Sequence, residues 1–134
     1  YDIVIVDSDD PVGPGEGLFT ESFYREIYRV LKTDGIMITQ SESPRFNRQI
    51  FMDVFQCYKK IFGEDNVYCY LMFLPSFPSG MWSFSFSSKG NIDPFQNLQK
   101  EKIRNFCAGH NLKYYSFDVH NSSFVLPRFV HDML

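Results

Sequence analysis

The chain is short of positive charge. Lys and Arg number 13 against 16 Asp and Glu, a formal net charge of −3, and no basic stripe gathers anywhere along its 134 residues. Electrostatic binding of nucleic acid needs such a stripe to neutralise phosphates, so we expect no nucleic-acid partner. Cysteine is scarce too. Cys57, Cys69 and Cys107 are odd in number and widely spaced, with no C-x-x-C. That argues against a disulfide framework or a zinc site and suits the reducing cytoplasm. His110, His120 and His131 have no ligand spacing with one another or with a cysteine, so no metal is expected. The longest apolar run falls far short of the ~20 residues of a membrane span, and no signal-peptide pattern appears, so no membrane partner is expected. The first residue is Tyr1 rather than Met, and it leads straight into an apolar run. We read that start as a fragment, a processed chain or an excised piece.

Apolar material is plentiful. Hydrophobic residues make up 44% and aromatic residues 18%, enough for one domain with a packed interior over residues 1–134. No repeat, low-complexity tract or linker divides it. "DIVIVD" (2–7) is a short β-branched run bounded by acids, the pattern of a strand buried on both faces of a parallel sheet. The Gly- and Pro-rich "SDDPVGPGEG" after it is a loop. Thr20 is placed to cap a helix whose apolar residues are Phe23, Ile27, Val30 and Leu31, with Gly35 as the residue just past its end. "IMITQ" (36–40) is a second strand.

Phe51, Val54, Phe55, Tyr58 and Ile61 mark a second helix that Gly63 ends, and 66–74 is a third strand. The stretch 81–90 alternates, with Trp82, Phe84 and Phe86 on one face, as expected of a half-buried antiparallel strand. A helix over 98–111, a short extended piece at 112–116 and a terminal helix over 126–134, with Pro127 in its first turn, complete the reading. The order is that of the second half of a Rossmann-like, doubly wound α/β sheet with an antiparallel edge strand. "GPGEG" (13–17) lacks the flanks and spacing of a dinucleotide fingerprint.

One stretch stands apart. "DSDDPV" (7–12) puts three carboxylates into four positions at a strand end. In open α/β sheets ligands bind beyond the carboxyl ends of the strands, and Gln40 ends the neighbouring strand. Asp7, Asp10 and Gln40 would then share one crevice, where a cation such as a protonated amine would relieve the repulsion. A metal is a poorer fit, because nothing supplies the further oxygen ligands that hard cations take. The plain alternative is a polar loop capping a buried strand, with Asp10 before Pro11 as turn chemistry. Spacing alone leaves the two even.

The longer string "YDIVIVDSDDPVGPGEGLF" resembles the aminopropyltransferase family, spermidine synthases above all, whose pattern runs YDVIIxDSSDPxGPAxxLF. "FYREIYRVLKTDGIMITQSES", "PSFPSGMWSFSFSSKG", "LKYYSFDVH" and "FVLPRFV" agree in order, so the resemblance covers essentially the whole chain. It implies transfer of an aminopropyl group from decarboxylated S-adenosylmethionine, a co-substrate rather than a resident cofactor, to putrescine, with release of methylthioadenosine. By the same resemblance Asp7 is the general base, Asp10 holds the diamine, and Gln40 binds its distal part, with Glu42 close behind. Pro14, Gly15 and Leu18 lie against the adenine.

The chain departs from that pattern at three places. Asp9 adds a charge, Gly15 replaces an alanine, and Phe77 stands where the family's "TYPSG" has a tyrosine whose hydroxyl contacts the amine region.

The resemblance also implies that the glycine-rich loop, the ribose-binding acid and an N-terminal hairpin domain belong to a first half that this sequence lacks. The expected partners are therefore the two substrates, together with a homo-oligomer or a chain carrying that half. Two other readings stand beside this one. The chain could be a non-catalytic half that only associates with a partner, or an S-adenosylmethionine-dependent methyltransferase of the same fold. Trp82, Phe84 and Phe86 are read as core or dimer packing rather than a base-stacking platform, and His120 as architectural.

Overall fold

A computed structural model describes residues 1–8, 17–96 and 98–134. Four strands form one open sheet: β1 (Ile3–Val6), β2 (Ile36–Gln40), β3 (Val67–Phe73) and β4 (Met81–Ser88). Their spatial order is β1-β2-β4-β3. β1 and β2 run parallel, in register from Ile3 opposite Ile36 to Val6 opposite Thr39. β4 is antiparallel to both of its neighbours. The sheet edge is thus antiparallel, as the alternation of 81–90 led us to expect. The antiparallel strand itself lies one place in, and β3 takes the outer position.

Helices α1 (Glu21–Val30) and α2 (Arg48–Phe62) cover one face. The Thr20 hydroxyl accepts the Phe23 N–H at 3.3 Å and starts α1, with Glu21 in the favourable first turn. The buried stripe of α1 is Tyr24, Ile27 and Leu31, while Val30 is exposed. The helix stops at Val30, short of the expected end near Gly35. Gly35 serves close approach instead: a Cβ there would lie 2.9 Å from the Leu31 side chain. α2 does end at its glycine. Gly63 adopts φ +96°, a conformation that disfavours L side chains, and its N–H reaches the Lys59 carbonyl. Phe51, Val54, Phe55, Tyr58 and Phe62 of α2 join Val6, Met37 and Cys69 of the sheet in the core.

The opposite face is covered in part. After α3 (Lys100–Gly109), the chain forms α4 (Phe117–Ser123) against β3. Phe124, at the end of α4, packs on Tyr70 with ring centroids 5.2 Å apart, and Tyr70 stacks on Phe84 at 5.4 Å. α4 is a correction to the sequence reading, which had only an extended piece before the terminus. "FDVHNSS" is poor in helix formers and carries no apolar period, so tertiary packing and the Ser116 cap on the Val119 N–H make the helix. The terminal helix shortens to α5 (Arg128–His131), with Pro127 just outside as its cap residue.

β1 is a second correction. Val6 is buried, but Ile3 and Ile5 are 57% and 72% exposed, so the chain covers one face of this strand and not both. Among the described residues, no helix is long and apolar enough to cross a membrane.

Candidate active site

Parallel pairing of β1 with β2 brings their carboxyl ends side by side. Asp7 follows Val6 at one end and Gln40 closes the other. Asp7 is exposed and makes no hydrogen bond or ion pair among the described residues. Because β4 runs antiparallel, its first residues arrive at the same rim. Trp82 lies two residues before Phe84, the β4 partner of Gln40. Loop 74–80 turns over this rim, closed by Leu74 N–H to Gly80 O at 2.8 Å and Gly80 N–H to Phe77 O at 3.0 Å. Phe77 lies against Trp82 with ring centroids 4.5 Å apart and planes 30° from parallel.

Gln40 is nearly buried. Its carboxamide, oriented by its neighbours, donates from Nε2 to the Ser8 carbonyl at 3.0 Å and accepts the Trp82 indole N–H at 3.3 Å. Ser8 and Trp82 were not marked as site residues by the sequence. A signal for Trp82 was present: an indole buried among serines and phenylalanines must find an acceptor for its N–H.

Glu42 is fully buried, with φ +72°. Its carbonyl accepts from the Ser83 N–H at 3.1 Å and the Ser83 hydroxyl at 2.6 Å, and its Oε2 accepts from Asn47 Nδ2 at 2.5 Å. Glu42 therefore holds the corner by which the chain leaves β2 for α2. Leu18 sits half-buried in a single tight turn just before α1. Asp10, Pro14 and Gly15, and the extra acid Asp9, lie outside the described residues.

Beneath the corner, Tyr58 donates to the Tyr24 hydroxyl at 3.3 Å. Burial pushes the Tyr24 phenol up to about 12 and the Tyr58 phenol well above the ordinary tyrosine range. Both stay neutral and act as packing. His120 takes no part in the rim. Its Nε2 lies 2.9 Å from the Pro94 carbonyl, which can only accept, so Nδ1 accepts from the Tyr115 hydroxyl at 3.1 Å. It borders a largely apolar cavity of about 320 Å³ between β3, β4 and α4. Among the described residues, no three His, Cys, Asp or Glu side chains gather as a metal site.

The rim thus joins one exposed carboxylate, a carboxamide locked by two partners and an aromatic wall. Chemically, it can attract a cation and hold an apolar chain beside it.

Comparison with known proteins agrees with that architecture. The chain is 43% identical, over its whole length, to the polyamine aminopropyltransferase of Clostridioides difficile, of which it covers 46%. It is 44% identical over 97% of its length to the polyamine aminopropyltransferase of Thermotoga petrophila, covering 43% of that protein. Among solved structures, a spermidine synthase in complex with the transition-state analogue AdoDATO superposes over the whole chain with a TM-score of 0.91 at 42% identity, the chain covering 44% of it. The spermidine synthase of Thermotoga maritima matches with a TM-score of 0.87 at 41% identity, 43% of it covered. The chain therefore spans less than half the length of these relatives. The pattern of the spermine/spermidine synthase domain matches residues 1–100, and the chain belongs to that family.

Proposed function

We infer that the chain carries the amine half of an aminopropyltransferase site and is the C-terminal half of its catalytic domain. The reaction is transfer of an aminopropyl group from decarboxylated S-adenosylmethionine to putrescine, giving spermidine and methylthioadenosine. The observation that carries this reading is the placement of Asp7 and Gln40 at adjacent parallel strand ends, one residue past the last β1–β2 pair, with the Phe77–Trp82 wall against Gln40. Putrescine arrives as a dication and is drawn to the carboxylates. Its attacking nitrogen must first lose a proton, which Asp7, exposed at the rim, accepts as general base. The free nitrogen lone pair then forms a bond to the methylene carbon next to the sulfonium. The carbon–sulfur bond breaks, and its electron pair stays on sulfur as the neutral thioether. No metal or redox group enters this balance.

Asp10 anchors the diamine beside Asp7. Pro14, Gly15 and Leu18 line the adenine, and Glu42 supports the site from behind by fixing the corner after Gln40. Phe77 offers the amine's methylene chain an apolar surface where the family pattern has a tyrosine hydroxyl. The remaining nucleotide contacts come from sequence outside this chain, in the same polypeptide or in a partner. We place the protein in the cytoplasm, where the free thiols of Cys57, Cys69 and Cys107 persist.

The test is release of methylthioadenosine from decarboxylated S-adenosylmethionine and putrescine. Turnover should fall by about 10²–10⁴-fold in Asp7→Asn, the usual worth of a general base. S-adenosylhomocysteine formed from S-adenosylmethionine would instead mark a methyltransferase.

A further inference from the structure

The Gln40 carboxamide can take two orientations, and its neighbours discriminate sharply between them. Ser8 presents a carbonyl oxygen and Trp82 an indole N–H. With Nε2 toward Ser8 and Oε1 toward Trp82, both contacts are hydrogen bonds, at 3.0 and 3.3 Å. Turned over, the side chain would set carbonyl against carbonyl and N–H against N–H. Ser8, Gln40 and Trp82 are 7%, 8% and 4% exposed, so solvent has little access to repair such a mismatch.

This relay begins where the backbone ladder stops. The last β1–β2 pair is Val6 with Thr39. One step beyond, the Gln40 side chain reaches across from β2 to the Ser8 carbonyl. Asp7 is therefore held between a backbone tie at Val6 and a side-chain tie at Ser8. On the other side of the relay, Phe77 rests on the indole and presses loop 74–80 against it.

We propose that Trp82 is a positioning residue for the amine site: its indole N–H sets the Gln40 carboxamide, which clamps Ser8 and so fixes where the Asp7 carboxylate stands. The proposal rests on the reading of Asp7 as the base and deepens it. It also narrows the role of Gln40. One of its N–H groups and one of its oxygen lone pairs are spent on the protein, leaving one of each for an amine or for water between them.

Trp82 is the one tryptophan within these 134 residues, and its indole N–H signal is identified as the one that Trp82→Phe removes. The experiment compares the protein as isolated with Trp82→Phe, which keeps an aromatic ring and removes the donor, and with Gln40→Leu, which removes the middle of the relay. In the parent, the indole proton should be protected from solvent exchange, and Gln40→Leu should shift it and expose it. Trp82→Phe should move the Gln40 side-chain amide pair, the Ser8 amide and the Asp7 carboxyl carbon.

In the aminopropyl-transfer assay, Trp82→Phe should lose about tenfold in kcat/KM for putrescine, the scale of one buried hydrogen bond. Gln40→Leu should lose at least as much, because it also removes the Gln40 contact to the amine. KM for the nucleotide substrate should hold. The double variant should be no worse than Gln40→Leu alone, because the relay is already broken once Gln40 is gone. Unmoved Ser8 and Asp7 signals in Trp82→Phe, or losses that multiply in the double variant, would overturn the proposal. Absence of aminopropyl transfer once the sequence supplying the remaining nucleotide contacts is present would defeat the functional reading instead, and the NMR signals would still decide whether Trp82 positions Asp7.

Discussion

The two faces of β4 are built from different materials. Ser83, Ser85 and Ser87 point to one side, and Trp82, Phe84 and Phe86 to the other. Alternation of this kind ordinarily reads as polar outside and apolar inside. Here the serine side is the deeper: all three serines are fully buried, whereas Phe84 and Phe86 are only half-buried. The reason lies in what each face receives. α2 brings Phe51, Phe55 and Tyr58 down onto its side of the sheet, and small residues on β4 leave room for those rings. α4 is seven residues long and covers the aromatic side in part. Depth in a sheet is set by the layer that lands on it, and polarity only marks that two faces exist. The serine side also carries a cost. The hydroxyls of Thr39, Ser85 and Ser87 are buried with no hydrogen-bond partner among the described residues.

Removing a large ring from each face is the strongest way to break this comparison. Phe51→Ala should lower unfolding stability by about 3–5 kcal/mol, measured by urea denaturation, and Phe84→Ala by clearly less. The reverse order would make the aromatic side the true core.

Alkaline titration sharpens the contrast. Burial raises the phenols of Tyr24 and Tyr58 under the helices, and that of Tyr70 on the other face to about 12. The folded form keeps protons that the unfolded chain gives up. Stability from these groups is therefore whole below about pH 10, the free tyrosine value, and drains away as pH climbs through about 12. Tyrosinate absorbance followed beside unfolding should show Tyr70 ionising before Tyr58.

The smallest effect is expected from Ser85→Ala. It removes a hydroxyl without a partner from a packed site, so stability should stay level or rise by less than about 1 kcal/mol. A loss beyond that would mean the hydroxyl has an undetected partner, such as a trapped water.

Much of the site was legible because strand ends are legible. The apolar runs that end at Asp7 and at Gln40 say where each strand stops, and parallel pairing then sets the two residues side by side. Trp82 was read as packing. Packing it is, but its N–H also needs an acceptor, and a residue 42 positions earlier supplies it, a pairing no local pattern reports. Glu42 was read as close behind Gln40 at the amine; its burial and left-handed backbone, which no local pattern reports, also make it a corner residue. α4 escaped notice because its residues have low helix propensity and gain their order from the aromatic cluster at β3. β1 misled in the other direction. Its unbroken apolar run implies two covered faces, and this chain covers one.

The sequence by itself determined the order of the strands and helices from β1 to α3, the strand ends and the acids placed there. Those follow from side-chain periodicity and backbone preference over a few neighbouring residues. Only the tertiary structure decided which side of β4 lies deeper, how the Gln40 carboxamide is turned, and that Trp82 meets it. Those depend on contacts between residues far apart in the chain, where burial removes water as an alternative partner and leaves one arrangement in which the polar groups of the relay are all paired.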